Sequence, residues 1–400
     1  MRLDSTASSG FLSRYGRGVG RRLRTLDWGP VLPIFVWSRL AIWAAALFAL
    51  LVFVPNRHPE ADRWDSPRLH ELGYGIDVWA RWDSDWYLRI AEDGYAESPS
   101  STPAFFPLYP ALVGALGRLL AGHYVLAGVL LSLAACLVAF LLLYRLAAAR
   151  LGEDGARRAL LYLALFPTAL FLQAVYSESL YLALVLGAFL LAERGRWLGA
   201  GAVAGLAILT RPVGVALLPA LAVLAWRSPE RRRALAGLAA SVPVAAAYPV
   251  LLAAWIGEPL AFLRAQEGIW ERELSWAGPL GGLWEGVAAL AREEGERALA
   301  LNVQQLAFTV AFIALAVVAW RLFGAAYGLF AAVSLAIPLS YPSERWPLLS
   351  VPRFGLVIFP LVLALAALGA RRHVHEGILA VSSLLLGVAV VQWALWQWVA

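Results

Sequence analysis

Residues 32–54, LPIFVWSRLAIWAAALFALLVFV, decide the fold class. About 20 apolar residues suffice for a helix to cross the hydrocarbon core of a bilayer, and this run is long enough. It exceeds the roughly 7–15-residue apolar core of a secretory signal, and no small-residue cleavage site follows. It reads as an uncleaved first membrane span. Residues 1–30 ahead of it hold six arginines, which the positive-inside rule assigns to the cytoplasm.

The rest of the chain repeats the theme. Of its 400 residues 61% are hydrophobic and only 15% charged, with a mean hydropathy of +0.68; a soluble domain carries roughly 25% charge. Further apolar segments fall at about 124–146, 157–174, 177–193, 234–255, 300–322, 325–340, 354–370 and 376–398. The expected architecture is an all-α polytopic membrane protein: a cytoplasmic tail over 1–30, then one transmembrane domain over 31–400. All 33 cationic residues are arginine, which fits a GC-rich genome better than any nucleic-acid function. Cys136 is the lone cysteine and lies in an apolar run, so neither a disulfide nor a thiolate metal site is expected.

Four arginine-bearing connectors, YRLAAARLGEDGARR, ERGRW, RSPERRR and ARRH, belong in the cytoplasm. That parity makes 105–121 an interfacial or re-entrant helix. It also sends 197–226 out and back, breaking at TRPVG, where proline interrupts a helix. The loop 56–122, the YSES at 176–179, Arg211, the loop 256–300 and the segment 341–354 then all collect on the outer side. Within 256–300, Trp270, Trp276 and Trp284 suit a pair of interfacial helices, read more readily as a membrane-surface cover than as a substrate site.

The polar outlier is RWDSDWYLRIAEDGY, residues 81–95, with four acids and two arginines among aromatics. Trp82, Trp86 and Ile90 form one apolar stripe at helical spacing. Asp83 and Asp85 point to different faces. The plainer reading makes Asp83 a helix cap and sets Asp85 in the first turn, where the macrodipole favours an acid. A second RWDS at 63–66 shows that the tetrapeptide alone carries little information.

Five blocks in order, WDSDWYLRIAEDGY (82–95), AFFPLYPALV (104–113), ALFPTALFLQAVYSESLYLAL (164–184), AGLAILTRPVG (204–214) and VPRFGLVIFP (351–360), resemble the PIG-V-type mannosyltransferases, the GPI mannosyltransferase 2-like family. The resemblance implies a GT-C glycosyltransferase bundle, which takes a sugar from a polyprenyl-phosphate donor on the outer or luminal side. It implies that Asp83 is the catalytic acid of the first external loop, with Asp85 as second choice.

The residues suit that chemistry. An exposed aspartate is ionised at neutral pH and can act as general base on an acceptor hydroxyl. Arginine binds phosphate oxygens through its planar fork. Arg353 and Arg211, each beside a proline at the outer end of an apolar segment, are the expected donor-phosphate ligands, with Arg345 third. Pairing with Glu178 or Glu344 is the competing explanation for these arginines. Trp82, Tyr87, Tyr176, Ser177 and Glu178 are expected to line the substrate site, although Ser177 equally fits a helix cap. His58, His70, His123, His373 and His375 show no metal-ligand spacing, so no metal and no cofactor is expected beyond the lipid-phosphate sugar itself. The expected partners are polyprenyl-phosphate-mannose, a lipid or glycan acceptor, and membrane lipid; the expected location is a bacterial plasma membrane. Other readings are a GT-C transferase of glucose or arabinose, or a polytopic transporter. The latter predicts inverted repeats and midplane ionisable residues, whereas the polar residues here sit at segment ends.

Overall fold

A computed structural model describes residues 28–55, 64–96, 98, 100–292 and 295–399. Most of the arginine-rich tail, and His58, lie outside the described residues. Those described are mostly helical, with no named strand, and five helices are long and apolar enough to cross a membrane. The chain is a polytopic helical membrane protein.

The first span is α1 (Trp28–Val52), whose two prolines, Pro30 and Pro33, sit near the start where a missing N–H costs least. Two short helices of the first loop follow, α2 (Ser84–Asp93) and α3 (Leu108–Leu119). At about 18 Å, α3 is too short to cross, as expected for 105–121. The long α4 (Tyr124–Ala164) kinks at Gly152, whose φ of +73° suits glycine. α5 (Glu178–Glu193), α6 (Trp197–Thr210) and α7 (Leu217–Trp226) come next. They are followed by α8 (Arg231–Leu238), α9 (Ser241–Ile256), α10 (Ala261–Trp270) and α11 (Pro279–Ala288). The chain ends with α12 (Glu296–Phe323), α13 (Ala325–Ser340), α14 (Val351–Leu356), α15 (Phe359–Leu368) and α16 (Arg372–Ala394). α5 packs between α4 and α6; α1 and α15 cover α4, and α13 lies against α7, α11 and α12.

Two expected spans are interrupted. The helix expected over 157–174 stops at Ala164, ahead of Pro167, and the chain continues as a single 3-10 turn, Ala169–Leu172. The span over 354–370 divides between α14 and α15, ahead of Pro360. At the first break Phe166, the residue before Pro167, lies outside helical geometry as proline favours. At the second, Ile358 leaves it (φ −88°, ψ 75°) and Pro360 stands in the first turn of α15, where a missing N–H costs little.

The expected break at TRPVG is present. Arg211 is extended (φ −153°, ψ 139°) and Pro212–Ala216 forms a 3-10 turn. Gly214 lies so close to the preceding helix that an added Cβ would stand 2.7 Å from the Ile208 nitrogen. α6 and α7 are each only about 15–21 Å long.

Irregular backbone at membrane depth is tolerated only where it is buried in protein or lines a cavity. Here the three breaks, 165–177, 211–216 and 341–358, converge. Thr168 donates through Oγ1 to the Pro352 carbonyl at 3.1 Å, and Arg211 donates to the Ser177 hydroxyl at 3.2 Å. Arg39, a buried cation in the middle of α1, holds the first break in place. Its guanidinium donates to the carbonyl of Ala164, in the last turn of α4 where carbonyls lack intrahelical partners, and to that of Ala169, at the start of the 3-10 turn, both at 2.9 Å.

Candidate active site

The loop before α2 reaches the breaks through Tyr176. The Tyr176 hydroxyl accepts from the Asp83 amide (3.1 Å) and donates to the Arg81 carbonyl (3.2 Å), while the Val175 amide donates to the Trp79 carbonyl at 2.9 Å. Trp82 has a φ of +51° and Ser350 one of +68°. Non-glycine residues rarely adopt such values, which cost about 1–3 kcal/mol. One stands next to Asp83 and the other three residues before Arg353.

Four charged side chains from four segments form one network. Arg353 donates from an Nη to Asp83 Oδ2 at 2.8 Å, and its Nε lies 3.5 Å from Glu178 Oε1. Arg211 reaches the same Glu178 oxygen at 2.5 Å. Glu178 is fully buried at the start of α5. The Arg353 guanidinium also lies 5.4–5.5 Å from the ring centres of Phe171, Tyr176 and Phe354, a cation–π setting that holds its fork in one orientation.

Asp83 is therefore buried, not exposed as the sequence suggested, because Arg353 compensates its charge. It makes no side-chain cap to α2, which removes the capping explanation. Its second oxygen, Oδ1, is buried and without a hydrogen-bond partner among the described residues.

Asp83 opens onto a cavity of about 620 Å³, which is also lined by Tyr87, Tyr181, Arg211, Arg272 and Arg353. Its remaining walls are mostly apolar, including Phe105, Phe262, Leu263, Leu274, Ile337 and Val357. Tyr87 shares a 2.9 Å hydrogen bond with Ser177, and burial pushes its phenol up to about 12, so it acts as a neutral hydrogen-bonding group.

Some expected site residues fall elsewhere. Tyr176, Ser177 and Glu178 stand behind the cavity wall and hold the residues that line it; Ser177 makes no side-chain cap. Trp82 packs edge-on against Trp396 and Trp398, with Trp64 nearby, and does not line the cavity. Asp85 pairs with Arg89 at 3.2 Å, one turn along α2, also away from the cavity. Arg345 is exposed, with its guanidinium over Trp346. Arg353 pairs with Asp83 and Glu178 rather than Glu344.

The loop 256–300 is more than a cover. Trp276 and Trp284 are exposed as membrane anchors would be, but α10 and the residues after it form a cavity wall. Arg272 is buried there, and its segment pairs with 340–344: the Ser275 amide donates to the Ser340 carbonyl at 2.9 Å and the Glu344 amide to Glu271 at 3.2 Å. Sequence reading missed Arg272 and Arg39. An arginine in the middle of a 23-residue apolar run was the available signal for Arg39; Arg272 had none, standing among other charges. Among the described residues, no three His, Cys, Asp or Glu side chains gather as a metal site.

Comparison with known proteins bears on this geometry. Residues 74–224 match the family described as Mannosyltransferase (PIG-V). GPI alpha-1,6-mannosyltransferase 2 of mouse is 34% identical over 203 residues, covering 45% of this chain and 38% of that protein. The human enzyme is 35% identical over 181 residues, covering 39% and 34%. The chain thus spans little more than a third of these relatives. The oligosaccharyltransferase of Archaeoglobus fulgidus is similar in structure, with a TM-score of 0.42 at 16% identity, over 90% of this chain and 55% of that one. The expectation of a bacterial protein is withdrawn, since the matched relatives are mammalian. The stretch similar to that family holds Asp83, Glu178 and Arg211, with Arg353 beyond it.

Proposed function

We propose that this protein is a GT-C-type membrane glycosyltransferase that moves a mannosyl residue from polyprenyl-phosphate-mannose to a hydroxyl of a lipid-linked or glycan acceptor. The observation that carries the reading is the divided carboxylate of Asp83. Oδ2 is held by Arg353, while Oδ1 has no partner and the side chain lines an amphipathic cavity. A carboxylate oriented through one oxygen and free at the other is what a general base requires.

In the proposed step, the acceptor oxygen attacks the anomeric carbon as its proton passes to Asp83 Oδ1. The bond from that carbon to the phosphate oxygen breaks, and polyprenyl phosphate leaves. One displacement inverts the anomeric configuration. Arg211, Arg272 and Arg353 line the cavity and make it a cationic setting for the negative charge that grows on the leaving phosphate. The apolar walls suit the first isoprene units of the donor. The site is assigned to the outer face because the inner connectors are arginine-rich.

The test is transfer itself. Membranes containing the protein, supplied with labelled polyprenyl-phosphate-mannose and a lipid extract of the source organism, should yield a mannosylated product of inverted configuration. Donor left intact, or free mannose as the only product, would defeat the proposal.

A further inference from the structure

The cavity's charges do not cancel. Arg211, Arg272 and Arg353 all line it, and their guanidinium carbons lie 5.5–5.7 Å from the centre of one ring, Phe354. Two buried carboxylates, Asp83 and Glu178, answer Arg353 and Arg211. Arg272 forms no ion pair among the described residues. Its side chain donates to two neutral groups, the carbonyls of Leu349 at 2.8 Å and Tyr341 at 3.4 Å. Those bonds occupy two of its five N–H groups. Glu267, the other acid lining the cavity, is exposed and screened by water.

We propose that Arg272 is the phosphate-receiving cation of this cavity, binding the lipid-phosphate head that is a diester in the donor and a monoester in the released polyprenyl phosphate, with the lipid tail along the adjoining apolar wall. Buried charge must be paired, and this one lacks its anion. Burial and the nearby Arg353 push the Arg272 guanidinium down to about 10, still far above neutrality, so the charge is kept. The antiparallel pairing of its segment with 340–344 fixes where the fork points. Leu263, Leu274 and Ile337 extend the same cavity as hydrocarbon, which selects an amphiphile over a free anion. In this division of work Arg353 and Arg211 hold the carboxylates, while Arg272 supplies the net charge. The assignment rests on the lipid-phosphate donor proposed above, and the two can fail separately.

The experiment compares a long-chain polyprenyl monophosphate, the parent polyprenol and inorganic phosphate as ligands of the purified full chain in lipid nanodiscs. Wild type should prefer the monophosphate over the polyprenol. Arg272→Gln should lose about tenfold or more of that preference, the loss expected of one charge-assisted contact, while polyprenol binding stays unchanged. Arg345→Gln, on the exposed neighbouring loop, should behave as wild type. A preference retained in Arg272→Gln overturns the assignment. No preference in wild type overturns the lipid-phosphate donor, and the assignment with it. A measurement on unmutated protein guards against a misfolded variant: phenylglyoxal labelling, mapped by mass spectrometry. The polyprenyl monophosphate should protect Arg272 and the polyprenol should not. Unchanged labelling overturns the proposal, and equal protection by inorganic phosphate overturns the lipid assignment.

Discussion

Glu178→Gln should destabilise this protein more than any comparable change at its surface. The substitution keeps the shape of the side chain and removes one charge from a network of two cations and two anions. Glu178 is fully buried; one of its oxygens lies 2.5 Å from Arg211 and 3.5 Å from Arg353. With glutamine there, the buried Arg353 and the partly buried Arg211 face only Asp83. Breaking a buried ion pair by removing one partner costs about 3–5 kcal/mol, because the other charge is left without compensation. Removing Arg211 as well, in Glu178→Gln/Arg211→Gln, restores the balance between Arg353 and Asp83. The double variant should therefore recover about 1–3 kcal/mol relative to the sum of the single changes. The measurement is a double-mutant cycle on detergent-solubilised protein, read by thermal or denaturant unfolding where it is reversible. Additive single effects, or a Glu178→Gln protein as stable as wild type, would refute the network as the element that holds the breaks together.

Asp83→Asn should lower transfer by roughly 10²-fold or more with donor binding retained; Asp85→Asn, away from the cavity, should cost much less, and the reverse order in steady-state rates would exchange their roles. Arg353→Lys keeps the charge but cannot touch Asp83 and Glu178 together as the fork does, so turnover should fall while the protein stays folded; an unimpaired enzyme would remove the fork from the argument. Arg39→Met strips the donor from the carbonyls of Ala164 and Ala169, at about 1–3 kcal/mol for each buried group left unmet. Its melting temperature should drop together with the rate, and a variant as active and stable as wild type would show that α1 does not position the break. Tyr74→Cys and Glu344→Cys, at exposed positions in a Cys136→Ala background, should react with an impermeant thiol reagent from outside, and Arg232→Cys only after the membrane is opened. The opposite pattern inverts the topology and places the cavity inside.

The sequence by itself determined that this chain is a polytopic helical membrane protein, because continuous hydropathy is a local property. It also marked the break at TRPVG, since proline acts on its immediate neighbours. It singled out Asp83, Glu178, Arg211 and Arg353 because charge is conspicuous against an apolar background. Only the tertiary structure decided how those four meet, since Arg353 reaches Asp83 across 270 positions of chain and no periodicity encodes such a contact. It alone showed Asp83 buried rather than exposed: burial depends on what packs over a residue, here Arg353 and the segment around Tyr176. It turned Trp82 and Arg345 away from the cavity and brought in Arg272, which looked like one charge among many in an interfacial loop. Arg39 belongs to the same lesson. Its arginine was plain in the sequence, but its partners are two carbonyls that flank a helix break more than a hundred residues away, and that break exists only once the chain has folded.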